Sequence, residues 1–390
     1  MLLVILGSSH AEVPLVRAAR ALGCTSLLLS GDATGKAISE ADRFELCDYS
    51  SIEAVKESIV RNGATAVVAG CNDFAAITAS KISKLLNFSG HDEPEITELI
   101  HTKDRFRNLC KSIGLLVPTA KAFDDAASAK KYVDTQRTIQ ICKPVDLTGG
   151  KGVAVIHDKS QADKIIGRAM GASRIGRIVL EDFIQGDLHS MCALLKERKV
   201  VFQFFADEVS QPNPFLVSAA ITPASVPANS RINMVRQLEK IAQETELVDG
   251  IFHLQFIESE RGPVIIDVCR RPPGDLYLRL IEDATNFNIS REIISAVIGK
   301  GIKPPNRDSL IPTLRQCLMV PKNGTYSSFQ TTSTYLELAV ETVMLREMPT
   351  SVQNYMVEKL GIGIFQSTDL ELLRQFMLDF GQHFLPQLKE

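Results

Sequence analysis

Lys143-Pro144-Val145-Asp146-Leu147-Thr148-Gly149-Gly150-Lys151-Gly152-Val153 follows an apolar run, Ile139–Cys142, and opens a turn with three glycines and a second lysine. Glycines let backbone N–H groups approach an anion closely, and a lysine adds a mobile point charge. Lys143, Lys151 and the turn Gly149, Gly150, Gly152 therefore suit a triphosphate. Taken alone, the stretch is equally compatible with an ordinary hairpin carrying two solvated lysines.

The flanks read as strands, Thr138–Pro144 and Gly152–Ile156, which predicts a β-hairpin around the turn. Upstream, Lys103–Ile113 has helical spacing and stops at Gly114, and Val117-Pro118 restarts an extended chain. Downstream, Ile178–Ile184 and Ser190–Leu195 form another pair of strand-like segments around Gln185-Gly186-Asp187. The backbone of Glu181, Asp182, Phe183 and Ile184 offers the donors and acceptors that a purine edge needs, and Asp187 offers a carboxylate for ribose hydroxyls. A helix is expected over about Ser230–Glu246. Two more strands, Gly250–Glu258 and Pro263–Cys269, are joined by Ser259-Glu260-Arg261-Gly262. Positions two apart on a strand share a face, so Asp267, Cys269 and Arg271 project together, with Gln255 opposite. A carboxylate beside an arginine suits Mg²⁺ and phosphoryl charge, which makes Arg271 the catalytic candidate. Arg270 and Gly274 beside it are candidate substrate contacts.

The first hundred residues alternate apolar runs (Leu2–Leu6, Thr25–Leu29, Ala64–Val68) with amphipathic helices, the pattern of a parallel sheet covered on both faces. Ligands gather at the carboxyl ends of such strands. Ser9 and His10 after the first run, and Asn72 and Asp73 after the third, are therefore candidate substrate residues. Neither turn is a G-x-G-x-x-G, which argues against a dinucleotide.

Bulk properties narrow the class. The chain has 390 residues, 45% of them apolar and 23% charged, enough for more than one core. With 43 basic against 46 acidic residues the net charge is −3 and no basic run stands out, so neither nucleic acid nor a membrane surface is the expected partner. The eight cysteines form no C-x-x-C pair and read as reduced, buried side chains. Cytoplasmic residence is the expectation, because the apolar start stops at Gly7 without a basic leader.

In order and spacing, these segments resemble the ATP-grasp superfamily, in particular its L-amino-acid ligase and biotin carboxylase-like carboxylate–amine ligases. The likeness begins at Thr102-Lys103-Asp104-Arg105-Phe106, runs through Lys143, Lys151, Glu181–Gly186 and Asp267, and includes Leu360-Gly361-Ile362-Gly363. It implies an α/β and α+β protein: a Rossmann-like domain over residues 1–100, an ATP-grasp core of two α+β lobes over 101–300 with a lid at about 118–184, and a small closing domain over 301–390. A linker is expected at Gly301–Arg307. It further implies ATP with Mg²⁺ or Mn²⁺, Lys103 and Lys143 on phosphates, and small-molecule carboxylate and amine substrates joined through an acyl phosphate. A homodimer is compatible with it. The family pattern on the metal strands is Glu, then Glu-x-Asn-x-Arg-x-x-Gly. Here Gln255, Asp267, Cys269, Arg271 and Gly274 stand at those places. A neutral Gln255 and a thiol at Cys269 leave the metal short of hard, charged ligands. The alternative is a non-catalytic nucleotide-binding scaffold or regulatory protein.

Overall fold

The computed structural model describes residues 1–147, 149–305 and 310–389. The expected linker therefore lies partly outside the described residues, at 306 and 307; residues 301–305 carry no regular structure.

The N-terminal segment is a four-stranded parallel sheet in the order Arg43–Leu46, Thr25–Ser30, Leu2–Leu6, Ala66–Ala69. Leu3, Val4, Ile5 and Leu6 are all fully buried, because each face of the strand packs on helices. Val4 and Leu6 meet helices Ile52–Asn62 and Asp73–Leu86. Leu3 and Ile5 meet helix Val13–Ala21 and, beyond it, Ile289–Val297 from the central region. One core therefore joins this sheet to the rest of the molecule. The edge strand Arg43–Leu46 and the helices Tyr277–Thr285 and Ile289–Val297 were not anticipated.

A second, antiparallel sheet runs Ala120–Phe123, Ile178–Asp182, Gln140–Pro144, Ala154–Ile156, the last two being the hairpin expected around the glycine turn. Helices Ala126–Thr135 and Ala162–Ala172 cover one face. The other face carries Ile141, Lys143 and Glu181. Arg174, beyond the second helix, stacks its guanidinium 4.1 Å from the ring centroid of Phe74 in the N-terminal segment.

The third sheet has eight antiparallel strands: Gly262–Cys269, Gly250–Ser259, Asp187–Lys196, Lys199–Val209, Ala219–Thr222, Thr313–Met319, Lys359–Gln366 and Ala339–Met344. The last three strands come from beyond residue 313, so the expected closing piece shares its main sheet with the core. A three-stranded sheet, Thr350–Val352, Gly324–Thr331 and Phe384–Leu388, completes it. Helix Ala228–Glu244 covers one face of the large sheet, burying Met234, Leu238 and Ile241 against Leu254 and Phe256.

Strands Ile178–Asp182 and Asp187–Lys196 lie in different sheets, so residues 183–186 cross from one lobe to the other. Gly186 makes that crossing feasible: its φ is +145°, and a Cβ there would lie 2.0 Å from the Glu258 carbonyl oxygen. Among the described residues, no helix is long and apolar enough to span a membrane.

Candidate functional site

Between the second and third sheets lies a cleft of about 950 Å³ including its open mouth. Lys103, Lys143, Gly149 and Gly150 line it from one side, Gln255 and Asp267 from the other, and Phe183 and Ile184 close its end. Leu147, Leu188, Phe215, Ile257 and Ile266 supply apolar walls, a combination suited to a flat heterocycle with a charged tail.

Lys103 opens helix Lys103–Ser112, where the helix dipole disfavours a cation, so its charge is better explained by what it faces. Its Nζ donates to the Leu147 carbonyl at 2.9 Å and lies 3.9 Å from Oδ1 of Asp267. One turn on, Arg107 is buried with its Nε 2.9 Å from Oε1 of Glu181, and it also donates to the Ile266 carbonyl. Lys143 reaches the other Glu181 oxygen at 2.6 Å. Glu181 is fully buried. Burial alone would push its carboxyl up, but Arg107 and Lys143 hold it down at about 2. Ile266 sits at a bulge in the pairing of strands Gly250–Ser259 and Gly262–Cys269, between Gln255↔Asp267 and Phe256↔Ile265. Bulges re-aim side chains, so Arg107 ties the backbone beside Asp267 to the second sheet through Glu181.

The remaining expected residues take different positions around the cleft. Cys269 is buried, and its Sγ points to the Arg271 carbonyl at 3.6 Å. Burial pushes that thiol up to about 12, and a hard cation such as Mg²⁺ prefers oxygen ligands to such a thiol. Asp182 turns its carboxylate to Thr138 and Gln140, at 2.6 and 2.8 Å, rather than into the cleft. The backbone N–H groups of Asp182 and Phe183 are already bonded to Thr119 and Ile139. Ile184 is thus the hinge residue best placed to offer its N–H. Gly152 packs toward Pro144 and Ala172, and neither it nor Lys151 lines the cleft. Asp187 is exposed at the start of its strand and also lies off the cleft lining.

The substrate candidates separate by what already satisfies them. Arg270 is buried in a pair with Asp92 at 2.8 Å and donates to Val248 and Ile251, which makes it structural. Ser9 closes a capping box with Glu12, and Asn72 caps the helix that follows it while donating to Tyr49. Asp73 holds Nε of Arg271 at 2.8 Å and lies 3.2 Å from Nδ1 of His101. Against the effect of burial, Arg271 and His101 keep the Asp73 carboxyl well below the usual range. A Cβ at Gly274 would lie 3.9 Å from the Cys71 carbonyl oxygen. His10 differs, because its buried Nε2 has no hydrogen bond among the described residues. It lies 4.0 Å from Asp275, which also pairs with Lys359 and lies 4.0 Å from Arg315. Asp275, expected as a possible further metal carboxylate, is instead paired with Lys359, and Arg315 and Lys359 were missed because they reach it only through the C-terminal strands. Arg107 carried a signal in its i+4 spacing from Lys103.

Residues 101–211 match the family model described as "Phosphoribosylglycinamide synthetase, ATP-grasp (A) domain". That segment, rather than the whole chain, is what the ATP-grasp family model describes. It is 24% identical over 319 residues to the uncharacterized protein y4rH of Sinorhizobium fredii, covering 80% of this chain and 66% of that one. It is 25% identical over 274 residues to a phosphoribosylamine–glycine ligase of Caulobacter vibrioides, covering 64% and 62% respectively. The chain thus spans about two thirds or less of these relatives. Among solved structures, the L-amino acid ligase of Bacillus licheniformis superposes with a TM-score of 0.84 at 15% identity, covering 100% of this chain and 99% of that one. At that identity the likeness is one of fold, and it covers the whole chain.

Proposed function

We propose that the chain is an ATP-dependent carboxylate–amine ligase. One observation carries the reading: two lysines from different elements, a glycine hairpin and the Gln255–Asp267 strand pair converge on one cleft with an apolar, hinge-closed end. ATP fits with its base against Phe183 and Ile184 and its phosphates between Lys103, Lys143 and Gly149–Gly150. Asp187 stands near the hinge for the ribose. The oxygen donors of Asp267 and Gln255 fit a Mg²⁺ or Mn²⁺ ion that takes its remaining ligands from phosphate and water. Such an ion, when bound, neutralises charge on the terminal phosphates. The proposed organisation is a domain at 1–100, a nucleotide-binding core at 101–300 whose lid spans about 118–184, and a closing piece at 301–390.

In this reading a substrate carboxylate oxygen attacks the γ-phosphorus and the bond to the β–γ bridging oxygen breaks, giving ADP and an acyl phosphate. An amine then attacks the acyl carbon and phosphate leaves. Lys103 and Lys143 position the phosphates, and Arg271, held by Asp73, stabilises charge near the transferring group. His10 and the Arg315–Lys359–Asp275 group stand ready for the substrate's polar ends. Resemblance to a phosphoribosylamine–glycine ligase and an L-amino acid ligase supports a small, amino-acid-like substrate.

The inward-turned Cys269 favours a second reading, a nucleotide binder without turnover. Both are tested by ADP release from the purified chain with pooled amino acids and small carboxylates, in Mg²⁺ and in Mn²⁺, with hydroxylamine trapping any acyl phosphate as a hydroxamate. Substrate-dependent ADP and hydroxamate support the ligase. Tight ATP binding with neither product supports the second reading, and no ATP binding sinks both.

A further inference from the structure

Gln255 has two nearly isosteric ends. A half-turn of its amide exchanges a carbonyl oxygen, which ligates a hard cation, for an NH₂ group, which does not. On the large sheet its Cα partners are Asp267 on one side and Ser190 on the other. Glu208 stands on the strand beyond Ser190. It is a buried carboxylate, 8% exposed, and it accepts a hydrogen bond from Nε2 of Gln255. Gln255 therefore lies between two carboxylates, with its nitrogen committed to the one away from the cleft and its oxygen left for the side of Asp267. Without Glu208, the favourable arrangement would be the reverse, with the NH₂ group donating to Asp267 and facing any incoming cation.

We propose that Glu208 is the positioning residue of the candidate metal site, holding the Gln255 amide by its nitrogen so that its oxygen is presented beside Asp267. The proposal rests on the nucleotide reading above. It answers the neutral side chain where the family pattern has glutamate: a carboxyl group one layer back, on Glu208, orients a neutral oxygen ligand. Outer groups that orient a metal ligand commonly change metal affinity by 10–100-fold when removed.

The test uses the intact chain with ADP and Mn²⁺, reading free Mn²⁺ by electron paramagnetic resonance. Glu208→Gln, whose amide donates as readily as it accepts, is expected to weaken Mn²⁺ binding by about tenfold while ADP affinity without metal stays unchanged. A fall in metal-free ADP affinity of the same size would mean a distorted cleft and would overturn the proposal. Gln255→Glu in the Glu208→Gln background should restore Mn²⁺ binding, because a carboxylate has no wrong end. In a Gln255→Met background, Glu208→Gln should have no further effect, and additive losses would overturn the assignment. Where Glu208→Gln does not fold, Glu208→Asp withdraws the carboxylate by one methylene and should weaken Mn²⁺ similarly; parent-like binding there overturns it. A parent that binds ADP but no Mn²⁺ refutes this proposal alone, whereas a parent that binds no ADP refutes the nucleotide reading beneath it.

Discussion

Nζ of Lys143 lies 2.6 Å from Oε2 of Glu181, a carboxylate with no exposed surface whose other oxygen is held by Arg107. The lysine that fits a phosphate is thus also half the counter-charge of a buried acid. Lys143→Met should therefore cost both nucleotide affinity and stability. The expected loss in ADP binding is on the order of 2 kcal/mol, and leaving a buried charge half-compensated costs about 3 kcal/mol more in folding. Calorimetry and urea denaturation separate the two. Adding Glu181→Gln should recover stability without recovering ADP affinity, and recovery of both would remove Lys143 from the phosphate site.

Glu181 also sets an acid limit. Its carboxyl is lowered from 4.5 to about 2 in the folded chain, so the stability it contributes is fully present above about pH 4.5 and is lost as pH falls toward 2. Denaturation at pH 6, 4.5 and 3.5 should show a steep decline in the parent. The decline should be shallower in Glu181→Gln, by a few kcal/mol at most. Parallel curves would mean that Arg107 and Lys143 do not hold the acid down.

The glycine turn closes on the loop before strand Ala219–Thr222. Gly150 has φ +69°, and a Cβ there would lie 2.3 Å from the Phe215 carbonyl oxygen. Gly150→Ala should hold the lid off Phe215, with strain of roughly 1–3 kcal/mol appearing as weaker nucleotide binding. Hydrogen exchange across 213–217 should then be faster, and a non-hydrolysable ATP analogue should no longer slow it. Phe74→Ala, which removes the stacking partner of Arg174, should speed exchange at the lid without altering the turn itself.

Cys269 faces the Arg271 backbone. Cys269→Ser should therefore leave Mn²⁺ affinity within about twofold of the parent, a change below ~0.5 kcal/mol. A larger change, measured by the same free-ion titration, would bring the thiol back into the metal site.

The lysines and glycines of the turn were legible because phosphate chemistry needs those residue types close together in the chain. The alternating run around Asp267 gave the facing pair with Gln255, since strand pairing converts spacing directly into shared faces. Glu208, and Arg315 and Lys359 beside Asp275, were not legible. Their neighbours come from strands far apart in sequence, and nothing local marks a buried acid on a strand such as Phe204–Val209. Arg270 and Arg271 show the reverse limit: adjacent and chemically identical, they turn into different networks, with Asp92 and Asp73 respectively. No spacing rule distinguishes them.

The sheet that carries Gln255 and Asp267 does not stop at the core. Strand Ala219–Thr222, every residue of it buried, finds its second neighbour only in Thr313–Met319. Cutting the chain near residue 300 would therefore bare a row of unpaired N–H and C=O groups along an apolar strand, an open template for pairing with other copies. Such a fragment should precipitate rather than yield a simpler nucleotide-binding unit, and the arginine and lysine beside Asp275 would leave with the missing strands.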